Sequence, residues 1–546
     1  MVENQNCRKA LQTTDPRVDK KRIEETKGGL LEGSYKWVLE NSDFQQWRDD
    51  DKSRLLWIKG DPGKGKTMLL CGIIDNMGYT IARDGGGSRT ALSYYFCQAT
   101  DTRTNKATDV LRGLIYLLVE HQPSLLSHVR ERYDRHGKAL FEDANAWVVL
   151  TEIIRSMMQD PHLDKGYLMI DALDECSGLT QLLDFVSQSI SEPSQIKWIV
   201  SSRDWPQIDN SMANIAQKAR LDLELNEDSI SAAVQHYTEY KVKQLAKQEK
   251  YSAGLQKKVH HFLTANAGST FLWVALACHE LARIKPRHVQ DKLGMLPPGL
   301  SSLYQRMLEN TCASGDSKAC RQILAVVSLS FRPIALPELT SLIELPNTVQ
   351  ENDLETLMEI IKNCGSFLTI RDDIVYFVHQ SAKDFLLEET KGEIFPLGLH
   401  QKHQMMLSRS IEIMSRKLSR NIYNLQHPGV LIDQVHRPQP DPLAAAAYSC
   451  VNWVDHLLKT ESDDYLQDEG EGMIEKFLRQ HYLHWVEALS LLRCIPQGAR
   501  ALAKLHRKLH VCSRIHKGMS MPNIFIESPE YLIASTCSRH ATFSII

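Results

Sequence analysis

The chain has 546 residues, enough for about three or four compact domains. Hydrophobic residues make up 43% and charged residues 24%, as in an ordinary globular protein, and a net charge of -3 argues against general nucleic-acid affinity. The cysteines show no C-x-x-C pair, so neither a zinc site nor a disulfide framework is indicated. Without a signal-like apolar segment or a run of eighteen apolar residues, the sequence predicts a cytoplasmic protein with no membrane span.

The N-terminal residues 1–50 are polar and rich in charge, yet aromatic and apolar side chains recur within them. Their spacing indicates a short helical segment that packs on the following domain. Such a linker could instead contribute to a pocket for a nucleotide base, and the sequence leaves both interpretations open. The residues concerned are Tyr35, Trp37, Val38, Phe44 and Trp47.

Between residues 51 and 215, strand patterns alternate with helical ones. This alternation is typical of an α/β domain with a mainly parallel sheet and helices on both faces. Helical periodicity is clearest over 110–121 and 147–160, between the second and third strands. The strand candidates are 54–59, 91–97, 166–170, 197–202 and 220–225.

The stretch GDPGKGKT at 60–67 follows the first strand and precedes an apolar run able to form a helix. It matches the phosphate-binding loop pattern G-x-x-x-x-G-K-[ST] in its strand, loop and helix setting, although a glycine-rich turn without chemical function is the alternative. Glycines allow the backbone N–H groups to turn inward around a polyphosphate. Lys66 would reach the β- and γ-phosphates of ATP or GTP, and the Thr67 hydroxyl would bind Mg²⁺. The predicted nucleotide-binding residues of this stretch are Gly60, Asp61, Pro62, Gly63, Lys64, Gly65, Lys66, Thr67 and Met68.

An apolar strand ends in the acidic cluster YLMIDALDEC. Because parallel strands present their carboxyl ends at one edge, Asp171 is expected beside the phosphate loop, holding Mg²⁺ directly or through water. Asp174 or Glu175 could then orient or deprotonate an attacking water, although an acidic helix cap is the alternative for this cluster. Arg203 follows the next strand and is a candidate γ-phosphate sensor, unless it only pairs locally.

The remainder of the chain is predicted to be mostly helical. Residues 216–300 form a helical domain, and 301–390 contain helices followed by two β-like runs, SFLTI and IVYFV, that flank a turn at Arg371-Asp372-Asp373. Helices followed by a hairpin predict a winged-helix module. His379 lies after the second β-like run, where a packed or capping histidine is the simplest interpretation. Residues 391–546 are predicted to form a further helical domain without fixed-period repeats.

Eight segments, in this order, are similar to the fungal NACHT-domain proteins of the STAND NTPase class, which are of the NOD-like receptor type. They are DKKRIEETKGGLLEGSYKWVLE, LLWIKGDPGKGKTMLL, YLMIDALDEC, IVSSRDWP, GSTFLWVALACHEL, LPPGLSSLYQRM, VYFVHQSAKDFL and HYLHWVEALSLL.

The resemblance implies a nucleotide switch that is closed with diphosphate and self-associates with triphosphate, with weak NTPase activity that resets it. It assigns Lys66 and Thr67 to the phosphate loop, Asp171 to Mg²⁺, and His379 to contact with the diphosphate. It makes Asp174 and Glu175 the acidic pair that acts on the attacking water, and Arg203 the γ-phosphate sensor. The segment GSTFLWVAL departs from the proline-containing motif of related plant proteins, so no nucleotide contact is expected from it.

Many relatives carry an N-terminal effector domain and C-terminal WD or ankyrin repeats, neither of which is recognisable here. The chain is therefore expected to be a reduced family member or a truncated gene model, acting with unidentified protein partners. Two other classes of function were weighed. One is a scaffold that binds nucleotide for stability and does not hydrolyse it. The other is a metabolic P-loop kinase, against which the lack of an acceptor motif argues.

Overall fold

The computed structural model describes residues 2–83, 89–101, 103–141, 145–192, 194–213, 215, 218–312, 316–344, 354–364, 367–427, 430–460 and 472–515. The chain divides into two compact units, Met1–Arg306 and Met307–Ile546. The domain boundaries expected at 50, 215, 300 and 390 remain predictions, and residues 516–546 of the last expected domain lie outside the described part.

The first unit begins with four helices, more regular structure than the short segment that the sequence predicted. Val38, Phe44 and Trp47 are buried, in agreement with the expected packing of this region. Asp15 begins the second helix by accepting a hydrogen bond from the backbone N–H of Arg17, at 2.9 Å. The helices are α1 (Val2–Leu11), α2 (Pro16–Thr26), α3 (Glu32–Glu40) and α4 (Ser42–Asp49).

A five-stranded, wholly parallel sheet follows, with strand order β2-β3-β4-β1-β5. Every residue of β1 and β4 is buried, and since successive side chains point to opposite faces, both faces of the sheet are covered there. The strands are β1 (Leu55–Lys59), β2 (Thr90–Phe96), β3 (Lys165–Asp171), β4 (Ile196–Ser202) and β5 (Lys218–Asp222). They confirm the five predicted strands, with differences of at most three residues at any end.

Helices connect the strands, and a helical stretch ends the unit. The connecting helices are α5 (Lys66–Arg83), α6 (Ala107–His121), α7 (Leu126–His136), α8 (Ala146–Met158), α9 (Leu179–Ser191) and α10 (Pro206–Ala213). After β5 come α11 (Glu227–Gln248), α12 (Ala253–Asn266), α13 (Phe271–Ala282) and α14 (Pro286–Leu293). Helix α13 is apolar in sequence and buried on most sides.

The second unit contains a small antiparallel sheet among helices. Strands β7 (Leu368–Arg371) and β8 (Ile374–Phe377) form the predicted hairpin, whose two turn residues Asp372 and Asp373 have φ values of 48° and 59°. Positive φ at both positions is the geometry of a tight two-residue hairpin turn. A short strand, β6 (Ile334–Ala335), pairs with β8 and was not predicted. Helices with such a sheet fit the winged-helix prediction without establishing it.

The helices of this part are α15 (Leu300–Cys312), α16 (Ser317–Leu329), α17 (Leu336–Leu342), α18 (Leu354–Asn363), α19 (Gln380–Glu388), α20 (Lys391–Ile394), α21 (Leu399–Lys417), α22 (Ala447–Leu457), α23 (Met473–Leu491) and α24 (Ile495–Ile515). Among the residues that the structure describes, no helix combines the length and the apolar run required to cross a bilayer.

Helices α21 and α22 of the second unit enclose two histidines that contact each other. The Nδ1 atoms of His403 and His456 are 2.8 Å apart, so one ring donates the proton that the other accepts. The hydroxyl of Tyr448 is 2.9 Å from Nε2 of His456, and the Phe331 ring packs on both histidine rings. Burial lowers the pKa of His403 to about 4 and that of His456 to about 3. Both rings are therefore neutral at physiological pH.

Candidate nucleotide site at the carboxyl edge of the sheet

The loop 60–67 connects β1 to α5 at the carboxyl edge of the sheet. Gly63 and Gly65 have φ values of 81° and 88°, a region that L side chains rarely adopt. A Cβ at Gly63 would also lie 2.7 Å from the Cβ of Leu272, and one at Gly65 would lie 2.9 Å from the Phe271 ring. Both positions therefore require glycine, for conformation and for space against the start of α13.

A residue that follows β5 also holds the loop in place. The backbone N–H of Asp61 donates to the carboxylate of Glu224 at 2.8 Å. Pro62 and Lys64 complete the turn, and Met68 lies in the first turn of α5. Glu224 was not predicted, because it lies far from the loop in sequence and acts on a backbone atom, which leaves no local signature.

Lys66 is the first residue of α5, and its ammonium group lies within the loop. Its Nζ donates to the carbonyl oxygens of Gly60 and Asp61, at 2.5 Å and 3.0 Å. Burial lowers the pKa of Lys66, while the carboxylates of Asp174 and Asp171 act to raise it. The charge of Lys66 is therefore close enough to Asp171 and Asp174 to interact with both carboxylates.

Asp171 ends β3 and is almost completely buried. The Ser201 hydroxyl donates to its Oδ1 at 2.5 Å. Burial raises the pKa of Asp171, and the Ser201 hydrogen bond and the nearby Thr67 hydroxyl oppose that effect. The two residues predicted to hold Mg²⁺, Thr67 and Asp171, thus lie near each other.

Ser201 holds the turn that follows β3 as well as the carboxylate of Asp171. Its hydroxyl oxygen accepts a hydrogen bond from the backbone N–H of Ala172 at 2.9 Å, and Ala172 has a φ of 52° in the left-handed region. That conformation redirects the chain after β3 and brings the next acidic residues back over the sheet edge. Ser201 was not predicted, although a pair of serines at the end of a buried strand was a usable signal.

Asp174 and Arg203 form a close pair across β3 and β4. The Nε atom of Arg203 is 3.1 Å from Oδ2 of Asp174, and the Arg203 backbone N–H donates to Oδ1 at 3.1 Å. The Asp174 side chain is only 2% exposed, so this ion pair is shielded from water. Arg203 therefore lies at the carboxyl edge of the sheet, as predicted. It also has a local ion pair, which is the alternative to the sensor role.

Glu175 is the remaining acidic residue of the turn. Its Oε2 accepts a hydrogen bond from the backbone N–H of Ala99 at 2.9 Å, which ties the turn to the end of β2. Burial raises the pKa of Glu175 to about 7. A carboxyl group with such a pKa can exchange a proton near neutral pH.

The start of α13 lies on the phosphate loop. The backbone N–H of Leu272 donates to the Gly63 carbonyl at 3.4 Å, and the Thr270 methyl would lie 3.0 Å from a Cβ at Gly63. The segment GSTFLWVAL, from which no nucleotide contact was expected, thus contacts the loop itself. Sequence reasoning missed this contact because α13 comes some 200 residues after the loop.

His379 belongs to the second unit and is the N-cap residue of α19. Its Nδ1 accepts a hydrogen bond from the Ser381 backbone N–H at 3.1 Å and lies 2.8 Å from the Ser381 hydroxyl. This is the capping arrangement that the sequence alone favoured for His379. The diphosphate contact that the resemblance implies for this residue remains a prediction.

Comparisons with known proteins bear on these motifs. Residues 33–203 match the sequence profile of the family described as Nephrocystin 3, N-terminal. The chain is 51% identical over 528 residues to the vegetative incompatibility protein HET-E-1 of Podospora anserina. That alignment covers 93% of this chain and 38% of the relative, so the chain spans well under half the length of that protein.

Two solved structures were also found, both at 11% sequence identity. A Walker-type ATPase of Pyrococcus abyssi covers 66% of this chain and 96% of its own, with a TM-score of 0.31. The ORC1 protein of Aeropyrum pernix, solved in complex with DNA, covers 69% of this chain and 94% of its own, with a TM-score of 0.27. TM-scores this low do not establish a shared fold. The parallel sheet with its loop 60–67, the matched profile and the extensive identity to HET-E-1 instead confirm the resemblance of this chain to the fungal NACHT-domain P-loop NTPases of the NOD-like receptor type.

Proposed function

We propose that this chain is a nucleoside-triphosphate-binding switch that hydrolyses its nucleotide slowly. One observation carries the proposal: the lysine-bearing loop with Thr67 and the carboxylate of Asp171 meet at the carboxyl edge of a parallel sheet. Ligands of open parallel sheets bind at that edge.

Nucleotide binding would use the loop backbone and two side chains. Inward N–H groups and the start of α5 favour anions, and Lys66 supplies a positive charge for the β- and γ-phosphates. Thr67 and Asp171 offer a hydroxyl and a carboxylate, the hard oxygen donors that suit Mg²⁺. When bound, Mg²⁺ neutralises charge on the phosphates. The positive φ of Gly63 and Gly65 supports a phosphate-binding loop, because such a loop needs this backbone conformation to turn its N–H groups inward.

Glu175 is the better candidate for the general base of hydrolysis. Asp174 uses both carboxylate oxygens on Arg203, whereas Glu175 has a pKa of about 7 and can accept a proton from water at neutral pH. Arg203 would approach the γ-phosphate only by loosening its pair with Asp174. That requirement supports slow hydrolysis, which suits a switch better than metabolic turnover.

The switch states extend the proposal to the whole chain. Diphosphate would hold a closed form and triphosphate would permit self-association, with His379 favouring the diphosphate form. Because the chain spans 38% of its relative, the activating signal and the protein partners are to be sought by experiment. A ligand that switches the protein must bind one form more tightly by a few kcal/mol.

Calorimetry with the full chain tests nucleotide binding. Lys66→Ala should weaken binding of Mg-ATP or Mg-GTP at least tenfold, since it removes the charge within the loop. Lys52→Ala, which removes an exposed lysine ahead of β1, is the matched control and should bind as the parent does. Equal affinity of Lys66→Ala and the parent would refute the proposal. Identifying the nucleotide that co-purifies with the protein would decide between adenine and guanine.

Single-turnover hydrolysis separates the switch from a non-hydrolysing scaffold. Glu175→Gln keeps the size of the side chain and should abolish hydrolysis while nucleotide still binds. If the parent binds nucleotide tightly and hydrolyses none of it, the scaffold is the correct function. Phosphate transfer from nucleotide to an added small alcohol, rather than to water, would instead favour the kinase class.

A further inference from the structure

Helix α2 is fixed to the nucleotide-binding domain at both ends. Near its start, Arg17 lies 3.3 Å from Glu120, at the end of α6. Further along, Arg22 donates to Gln98 at 2.9 Å, just beyond the carboxyl end of β2. Helix α6 runs back from the carboxyl edge of the sheet, so α2 must run toward that edge, where the phosphate loop lies.

Helix α5 starts at the same edge and runs away from it, so α2 and α5 are antiparallel. An ion pair fixes their register, with Lys20 Nζ donating to Asp75 Oδ1 at 2.7 Å. Lys27 follows Lys20 by seven residues, or about 10 Å along a helix axis, and Thr67 precedes Asp75 by eight residues, or about 12 Å. Antiparallel packing therefore brings Lys27 to the first turn of α5, beside Thr67.

Electrostatics agree with this register. Burial raises the pKa of Cys71, one turn beyond Thr67 in α5, and the charges of Lys20 and Lys27 act to lower it. Lys27 is thus close enough to the first turns of α5 for its charge to act there.

The backbone after α2 holds Lys27 in this position. The N–H of Lys27 donates to the Ile23 carbonyl at 3.0 Å, and those of Gly28 and Gly29 donate to the carbonyls of Glu25 and Glu24, at 3.2 Å and 2.8 Å. These bonds form a glycine-terminated helix end, with φ of 92° at both glycines. The chain therefore turns away directly after Lys27 and leaves its side chain at the edge of the sheet.

We propose that Lys27 is a second phosphate-recognising lysine, which α2 contributes to the nucleotide site and which favours triphosphate over diphosphate. The inference rests on the proposed function. Lys66 acts from inside the loop, whereas Lys27 acts from the end of α2, beside the first turn of α5. Because triphosphate carries more negative charge than diphosphate, an added cation stabilises its complex more.

Lys27 is exposed, as is Lys21, so the two lysines differ in position and not in exposure, and Lys21 represents a solvated surface lysine. Its side chain is 78% exposed and its nearest carboxylate, that of Glu25, is 4.0 Å away on the same helix. Lys21 is therefore a matched control: it has the same charge and lies in the same helix, on a face away from α5.

The test measures Mg-ATP, Mg-ADP, Mg-GTP and Mg-GDP binding to full-length variants by calorimetry. Lys27→Gln should weaken triphosphate binding about tenfold and diphosphate binding by about threefold or less, since one charge is removed near the phosphates. Lys27→Arg should retain the parent's preference for triphosphate, and Lys21→Gln should match the parent throughout. Equal thermal melting temperatures would show that the variants fold alike.

Two results would overturn the inference. One is binding by Lys27→Gln that equals that of Lys21→Gln, and the other is equal weakening of triphosphate and diphosphate, which would leave no selectivity. Binding by Lys66→Ala distinguishes a wrong role for Lys27 from a wrong proposed function. If Lys66→Ala loses nucleotide while Lys27→Gln does not, only the role of Lys27 is wrong. If neither variant loses nucleotide, the proposed function fails too.

Discussion

Acidification should destabilise the second unit through the buried contact between His403 and His456. Their folded-state pKa values, about 4 and about 3, lie below the ordinary histidine value of 6.5. As pH falls below 6.5, the unfolded chain binds protons that the folded unit does not. The stability that neutral histidines provide is therefore complete above pH 6.5 and decreases as pH falls toward 4.

The magnitude follows from the two pKa values. At pH 5, an unfolded histidine with a pKa near 6.5 gains about 2 kcal/mol from protonation, while the folded pair stays largely neutral. The two residues together should then cost about 4 kcal/mol, a large part of a typical domain stability. Protonating both rings would also place two cations at the Nδ1 contact of 2.8 Å.

Hydrogen exchange of the full chain can measure this effect in peptides from α21 and α22. Between pH 7.5 and pH 5, after correction for intrinsic rates, the opening free energy of the parent should fall by about 4 kcal/mol more than that of a His403→Gln/His456→Gln double variant. The double variant keeps the other histidines of the chain, so the difference between parent and variant reports the effect of His403 and His456 alone. Equal decreases in parent and variant would refute the reasoning.

Two further predictions concern the site and its expected switch residue. Single-turnover hydrolysis should rise about tenfold from pH 6 to pH 8, because Glu175, with a pKa of about 7, must lose its proton to act as base; a flat profile would exclude it. His379→Ala removes the cap of α19, at a cost of about 1 kcal/mol, whereas His379→Asn keeps a capping side chain. If the imidazole holds the diphosphate form, size exclusion should show larger species for both variants with diphosphate. A change in the alanine variant alone would assign His379 to capping.

The parts of the site that depend on local sequence could be predicted. The backbone of the loop 60–67 requires glycine, so the spacing of its glycines can be recognised in the sequence. Apolar runs marked β1 and β4, since both faces of these central strands are covered. The hairpin was also local, because the Asp372-Asp373 turn lies between two β-like runs.

The remaining features depend on contacts between distant segments. Ser201 acquires its role only when β4 pairs with β3, and Glu224 only when β5 pairs with β1. The packing of Leu272 on Gly63 and the approach of Lys27 to α5 depend on helix placement, which periodicity does not specify. Strand β6 has two residues, too few for any alternating pattern.

The strand order also has a consequence for how the chain folds during synthesis. Strand β1 pairs with β4 through Leu55 and Trp198 and with β5 through Leu55 and Lys218, partners more than 140 residues away. No local hairpin can shelter it, and pairings of such long range form slowly. Until Asp222 has left the ribosome, this buried apolar strand lacks its full set of neighbours, and the loop that follows it has no completed sheet edge on which to assemble. A nascent chain stopped before Ile196 would expose β1 with neither partner and should depend on chaperones to remain in solution.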